Sequence, residues 1–121
     1  MPTLRISLTA ELDGERLPAF ASSWVVQADI AEPFSYVQAD GTTQTLPDSL
    51  VKTLRALLLR ADKAVSLQVN GQPLTVLLQP GGLVLLMDVA QLGDQGGALN
   101  TVTNASGEAA EVQGVVLGQG T

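Results

Sequence analysis

The chain has 121 residues and a formal net charge of −6; 45% of its residues are hydrophobic and only 15% are charged. This length suits one domain with a buried core, and the acidic balance disfavours nucleic acid, whose binders carry a basic face. Cysteine and histidine are absent, which excludes disulfides and thiolate metal sites and removes the commonest general base and metal ligand.

The first part of the chain predicts strands. Apolar and polar residues alternate from Leu4 to Leu12, as in a half-buried strand, and Asp13-Gly14 breaks the run. A second β-like run extends from Arg16 to Gln27, where Pro18 favours an edge or an early position because proline cannot donate to the ladder. Residues 29–33 are predicted to be a connection.

The next stretch admits two interpretations. Phe34–Gln38 and Thr42–Leu46 are predicted to be the strands of a hairpin around Asp40-Gly41. From Pro47-Asp48-Ser49, a plausible helix start, leucines recur at helical spacing as far as Ala61. Over residues 55–61 the same run also fits a strand, which we favour. One short helix within residues 47–60 stays an open alternative.

The second half is a series of apolar strands separated by turn signals. Val65, Leu67 and Val69 alternate with polar residues, and Asn70-Gly71 then gives the strongest short-range hairpin signal. Further strands are predicted at Leu74–Gln79 and Leu83–Val89, on either side of Pro80-Gly81-Gly82.

The last part of the chain predicts a terminal hairpin. Its strands are Leu99–Thr103 and Ala109–Leu117, around Asn104-Ala105-Ser106-Gly107, and Gly114 is the predicted site of a bulge. The whole pattern predicts an all-β chain: a small antiparallel β-sandwich or barrel-like domain that spans residues 1–121.

Three loops have some features of ligand sites, and each is better explained as a turn. Pro80-Gly81-Gly82 lacks the Lys-Ser/Thr and helix of a phosphate loop, and Asp94-Gln95-Gly96-Gly97 lacks the spaced carboxylates of a calcium loop. Asn104-Ala105-Ser106 fits the N-glycosylation pattern, but Asn and Ser are also ordinary turn residues.

Acid–base chemistry has few candidates. Asp29 with Glu32, or Glu108 with Glu111, could act as carboxylate pairs only if they faced each other across a cleft, and turn carboxylates are usually solvated. The aromatic residues are expected to fill the core rather than to form a carbohydrate platform. They are Phe20, Trp24, Phe34 and Tyr36. We therefore predict no catalytic, cofactor-binding or metal-binding residues and no enzymatic activity.

Turn and strand motifs follow one another through about residues 54–118. They are Leu58-Leu59-Arg60, Val65–Gly71, Pro80-Gly81-Gly82 and Thr103–Gly107. In this order of strand, Asn-Gly hairpin, Gly-Gly turn and closing Asn-x-Ser-Gly hairpin, the chain resembles small β-sandwich virion structural proteins of tailed bacteriophages. The resemblance implies a capsid decoration or cement subunit, or a neck, tail, baseplate or fibre component.

The expected function is accordingly a non-enzymatic virion subunit that stabilises the head lattice. Its expected partners are the major capsid protein or other virion proteins and further copies of itself, without nucleic acid or membrane. No apolar run reaches membrane-spanning length, and the first residues lack the features of a signal peptide, so assembly into virions in the host cytoplasm is expected. The other class considered is a carbohydrate- or peptide-binding β module, which an aromatic platform or a metal site would reveal.

Overall fold

A computed structural model describes residues 2–18, 22–46, 51, 53–69, 74–87 and 100–120. The regular structure of these residues is β-strand, which confirms the all-β prediction. The strands are β1 Thr3–Leu8, β2 Glu11–Leu12, β3 Glu15–Arg16, β4 Ser22–Gln27, β5 Ile30–Gln38, β6 Thr42–Thr45, β7 Thr53–Ala61, β8 Val65–Val69, β9 Leu74–Leu78, β10 Leu83–Met87, β11 Thr101–Asn104 and β12 Ala110–Gln119.

Eight of these strands form two antiparallel four-stranded sheets that pack as a sandwich. Sheet I has the order β10-β7-β12-β5, and sheet II has the order β6-β11-β8-β9. The pairs β8–β9, β7–β10, β6–β11 and β5–β12 are all antiparallel. The chain is therefore a two-stranded ribbon that is folded at β8–β9 and wrapped so that successive pairs fall in opposite sheets, which is the strand order of a jelly roll.

Four turns within the described ranges carry the chain between the sheets, and all four lie at one end of the sandwich. They join β5 to β6, β7 to β8, β9 to β10 and β11 to β12, and the antiparallel register brings the ends of these strands together. The hairpins predicted around Asp40-Gly41 and Asn104–Gly107 are therefore wrong in their pairing. Each turn reverses the chain as predicted, but the two flanking strands belong to different sheets.

Strand β7 resolves the ambiguity between helix and strand over residues 53–61. The register of β7 against β12 shifts between Leu117 and Gly118, so that Arg55 is the extra residue of a β-bulge. Because of this extra residue, Leu54 and Leu57 lie on the same buried face although they are three residues apart. A three-residue spacing is also typical of a helix, which explains why the sequence fits both interpretations. Residues 47–50, where the helix start was predicted, lie outside the described residues.

Gly114, predicted as a bulge, instead continues the ladder between Phe34 and Leu59. A Cβ atom there would meet the carbonyl oxygen of Leu58 and lie 2.7 Å from Cζ of Phe34. The glycine thus allows the close approach of neighbouring strands and of the phenylalanine ring.

Residues 30–33 belong to β5, so the predicted connection at 29–33 is wrong for most of its length. Pro33 is exposed and β5 is an edge strand of sheet I, a position where a missing backbone donor costs no ladder bond.

The main core lies between the two sheets. It includes Leu57 and Leu59 of β7, Leu67 of β8, Val102 of β11 and Val112 of β12, each with no exposed surface. The alternation predicted for Val65–Val69 is confirmed, because its odd-numbered residues are buried and its even-numbered ones are half-buried.

A second, smaller cluster lies on the outer side of sheet I, under an arm formed by β1 to β4. Val26 and Leu4 of the arm pack near Ala56 and Leu117 of sheet I. Beyond this contact the arm has further apolar residues that lie at the surface: Leu8 and Leu12 are exposed at 45% and 63%. The half-buried strand predicted for residues 4–12 is therefore half-buried only in its first part.

Candidate interaction surfaces

The candidate loops of the sequence behave as turns where they are described. Gly81 has a φ of 78°, and Gly82 N–H donates to Gln79 O at 2.8 Å, which closes the turn from β9 to β10. Residues 94–97, the calcium-like loop, lie outside the described residues.

Asn104 is a buried structural residue at the end of the sandwich that carries the four turns. Its Nδ2 donates to Gln38 O at 3.0 Å and to Glu108 O at 2.8 Å. Its Oδ1 accepts from N–H and Oγ–H of Ser106 at 3.1 and 2.8 Å. The side chain holds the β11–β12 turn against β5, so turn chemistry accounts for the Asn-x-Ser pattern.

Gln38 extends this polar network across the core. Its Nε2 donates to Thr42 O and Val102 O, each at 2.9 Å, and Tyr36 Oη–H donates to its Oε1 at 3.4 Å. Burial raises the pKa of the Tyr36 phenol, because the charged phenolate would lose its hydration. The network links sheets I and II at one end and leaves Gln38 with only 1% of its surface exposed.

The predicted carboxylate pairs have separate environments. The side-chain nitrogen of Gln119 donates to Asp29 Oδ2 at 2.6 Å in the amide orientation that satisfies both groups. Glu32, in contrast, lies on the inward face of β5. Glu108 forms an ion pair with Lys63 at 2.8 Å, which raises the pKa of the lysine, and the Glu111 N–H donates to Asp62 Oδ1. The contacts account for the carboxylates of Asp29 and Glu108, whereas Glu111 bonds through its backbone N–H and one carboxylate oxygen of Glu32 is buried without a partner among the described residues.

Two of the three described aromatic residues lie in the main core, as the sequence indicates. Phe34 and Tyr36 belong to the main core, with ring centroids 6.1 Å apart and planes tilted by 37°. Trp24 is half-buried on β4 of the arm. Phe20 lies outside the described residues.

Among the described residues, the outer face of sheet II carries no charged side chain. One cross-strand row runs Thr43, Thr103, Ser66 and Leu77, and the next runs Thr45, Thr101, Gln68 and Thr75. Neighbouring polar groups bond one another, as between the hydroxyls of Thr43 and Thr103 at 2.9 Å. A shallow hollow of about 320 Å³ lies at one end of this face, and Leu77 beside it is 79% exposed. We call the eight residues of the two cross-strand rows the neutral face.

The neutral face is the feature that sequence reasoning missed. Its residues come from β8 and β9, which are consecutive, and from β6 and β11, which are distant in the chain, and the register across sheet II brings all four strands together. Their common property is the absence of charge at alternate positions, with a hydroxyl or amide side chain at every position except Leu77, and this pattern is visible in the sequence. Which strands are neighbours is not.

Comparison with protein-family models found no match, and comparison with curated proteins found none either. Among the described residues, no three Asp or Glu side chains are placed to hold a metal ion. In the same ranges, no helix is long and apolar enough to cross a membrane.

Proposed function

We propose that this chain is a non-enzymatic structural subunit of a phage particle that stabilises the head lattice as a decoration protein. The neutral face is the observation that carries the proposal. In a chain with 18 charged residues, eight adjacent side chains on one sheet face are uncharged. Such a face can be buried against another protein without desolvating a charge, which would otherwise oppose binding.

The fold is compatible with the same role. Jelly rolls recur in viral capsid proteins and in lectins, so this support is an analogy of fold and does not by itself distinguish the two classes. The interior position of Phe34 and Tyr36 favours the structural role, because a lectin-like site would use aromatic side chains at the surface.

In this role the expected partners are the major capsid protein and further copies of the chain, and the expected location is the assembled virion. A decoration subunit binds many equivalent sites on a lattice, and linked contacts of modest strength then give high avidity. A neutral contact fits this setting because its strength does not depend on long-range attraction to a basic surface.

Co-sedimentation with emptied heads and, separately, with isolated tails of the phage that carries the gene tests the proposal. The matched variants are Gln68→Glu on the neutral face and Gln113→Glu on the exposed outer side of sheet I. We expect wild type and Gln113→Glu to sediment with heads equally well. Gln68→Glu should bind roughly tenfold more weakly or worse, because a buried unpaired charge costs at least about 1.4 kcal/mol.

Two results would contradict the proposal. Sedimentation with tails alone would assign the chain to the neck, tail, baseplate or fibre. Binding to neither particle, with capture of a soluble sugar or peptide, would favour the free binding module. Equal loss of head binding in both glutamate variants would contradict the assignment of the neutral face, while leaving the head as the partner.

A further inference from the structure

The two flanks of the sandwich differ in how their strand edges are protected. In sheet order, β9 and β10 are edge strands joined by one turn, and they lie together on one flank. Strands β5 and β6 are the edges on the opposite flank. An exposed edge presents unpaired backbone groups and tends to pair with another chain unless charge, proline or shortness blocks it.

The β5–β6 flank carries such blocking features. Pro33 lies in β5 with its side chain exposed, and the preceding Glu32 places a charged group on the inward side of the same strand. One carboxylate oxygen of Glu32 is buried and has no hydrogen-bond partner among the described residues. Strand β6 has only four residues, all of them polar and exposed. These features discourage strand addition on this side.

The β9–β10 flank lacks these features. Nine of the ten residues in the two strands are Leu, Val or Met, and none is charged or proline. Leu77 and Leu83 are exposed at 79% and 61%. An uncharged apolar edge of this kind is a template for pairing with another chain unless a helix or loop covers it.

Strand β10 also has the backbone orientation that a further strand requires. Ala61 N–H donates to Gly82 O at 3.4 Å, which shows that the carbonyl group of Gly82 is directed toward β7. The alternation of an antiparallel ladder then directs the N–H and C=O groups of Leu83, Leu85 and Met87 away from β7. No strand in the described part of the chain lies beyond them.

We propose that β10 pairs antiparallel with β10 of a second copy of this chain, in a two-fold dimer whose sheet I has eight strands. An antiparallel strand is complementary to itself under a two-fold axis, so a single edge satisfies both copies and the assembly closes as a dimer. The net negative charge of each copy opposes their association, but this flank adds no charge of its own to that repulsion. Each copy carries −6, and the β9–β10 flank allows two acidic copies to meet on uncharged strands. The inference deepens the self-association expected in the proposed function, but it requires no head binding.

Sedimentation equilibrium of the full chain, without phage particles, tests the dimer. The matched variants are Leu83→Lys on β10 and Val37→Lys on β5, since both residues are exposed on edge strands of sheet I but on opposite flanks. We expect wild type and Val37→Lys at twice the 12.5 kDa chain mass, and Leu83→Lys at 12.5 kDa. A monomeric wild type at micromolar concentration, or equal masses for the two lysine variants, would overturn the proposal.

A second variant separates pairing from packing. Leu85→Pro removes a backbone donor that points away from β7, so the β7–β10 ladder loses no donor and far-UV circular dichroism should be unchanged. The variant should be monomeric. Hydrogen exchange at Leu83, Leu85 and Met87 should be slow in wild type and fast in Leu83→Lys. Slow exchange in both proteins would show that another part of the same chain covers β10, and would overturn the dimer. Head binding measured on the same variants is a separate result, so failure of the dimer and failure of the proposed function remain distinguishable.

Discussion

Replacement of Leu67 by aspartate tests the register of the main core. Leu67 has no exposed surface and lies in register with Val102 of β11 and Val76 of β9. Truncation of a buried leucine costs about 2–5 kcal/mol, and burial of a carboxylate adds to this, so we expect a loss of about 3–5 kcal/mol or more. That is a large part of the 5–15 kcal/mol by which folded domains are typically stable.

The matched control is Gln68→Asp, one residue further along β8. Gln68 is half-buried on the opposite side of sheet II, so its replacement should cost about 1 kcal/mol or less. Urea unfolding followed by far-UV circular dichroism gives both free energies by linear extrapolation. If Leu67→Asp does not fold, Leu67→Ala supplies the core value, at about 2–5 kcal/mol. Equal losses at the two positions would refute the register.

Three further predictions concern the buried polar network, the single tyrosine and metal dependence. Asn104→Ala should lower the free energy of unfolding in urea by about 2–4 kcal/mol, because it removes the amide donor to Gln38 O and one of the two donors to Glu108 O. A loss below that of the exposed Ser106→Ala would contradict this. Ultraviolet titration of Tyr36 should give a midpoint above 10.0 in the folded protein and near 10.0 in urea. The free energy of folding gained from this difference in pKa should be fully present below pH 10.0 and should be lost as the pH rises through the pKa of the folded protein. Equal midpoints would refute burial of the phenol. Chelator should leave the melting temperature unchanged, and a rise of several degrees with calcium would point to a site at Asp94.

Much of the strand content follows from the sequence because local signals determine it. The alternation at Val65–Val69 places one face in the core, and the turn residues Gly41, Gly81 and Gly107 all adopt the positive φ that favours glycine. The Asn70-Gly71 signal correctly predicts the pairing of β8 with β9, but the other turn signals do not contain the pairing partner. A turn between two sheets and a turn within a hairpin use the same residues, and for this reason the predicted hairpin at Asn104–Gly107 proved to be a crossing.

The other differences have equally local causes. A bulge at Arg55 converts strand spacing into apparent helical spacing, and an edge position lets β5 include Pro33. Leu8 and Leu12 alternate like core residues although the arm extends beyond the sheet on which it packs. The neutral face could not be predicted at all, because it depends on the register of four strands together.

The salt dependence of binding to assembled heads tests most directly whether an uncharged surface of this chain contacts the lattice. The purified chain is sedimented with intact expanded heads and with isolated capsid subunits, at low and at molar salt. We expect strong binding to heads, much weaker binding to isolated subunits, and head binding that survives molar salt, because the neutral face has no charges to screen. Head binding that disappears at molar salt, or equal binding to subunits and heads, would contradict a neutral contact with the assembled lattice.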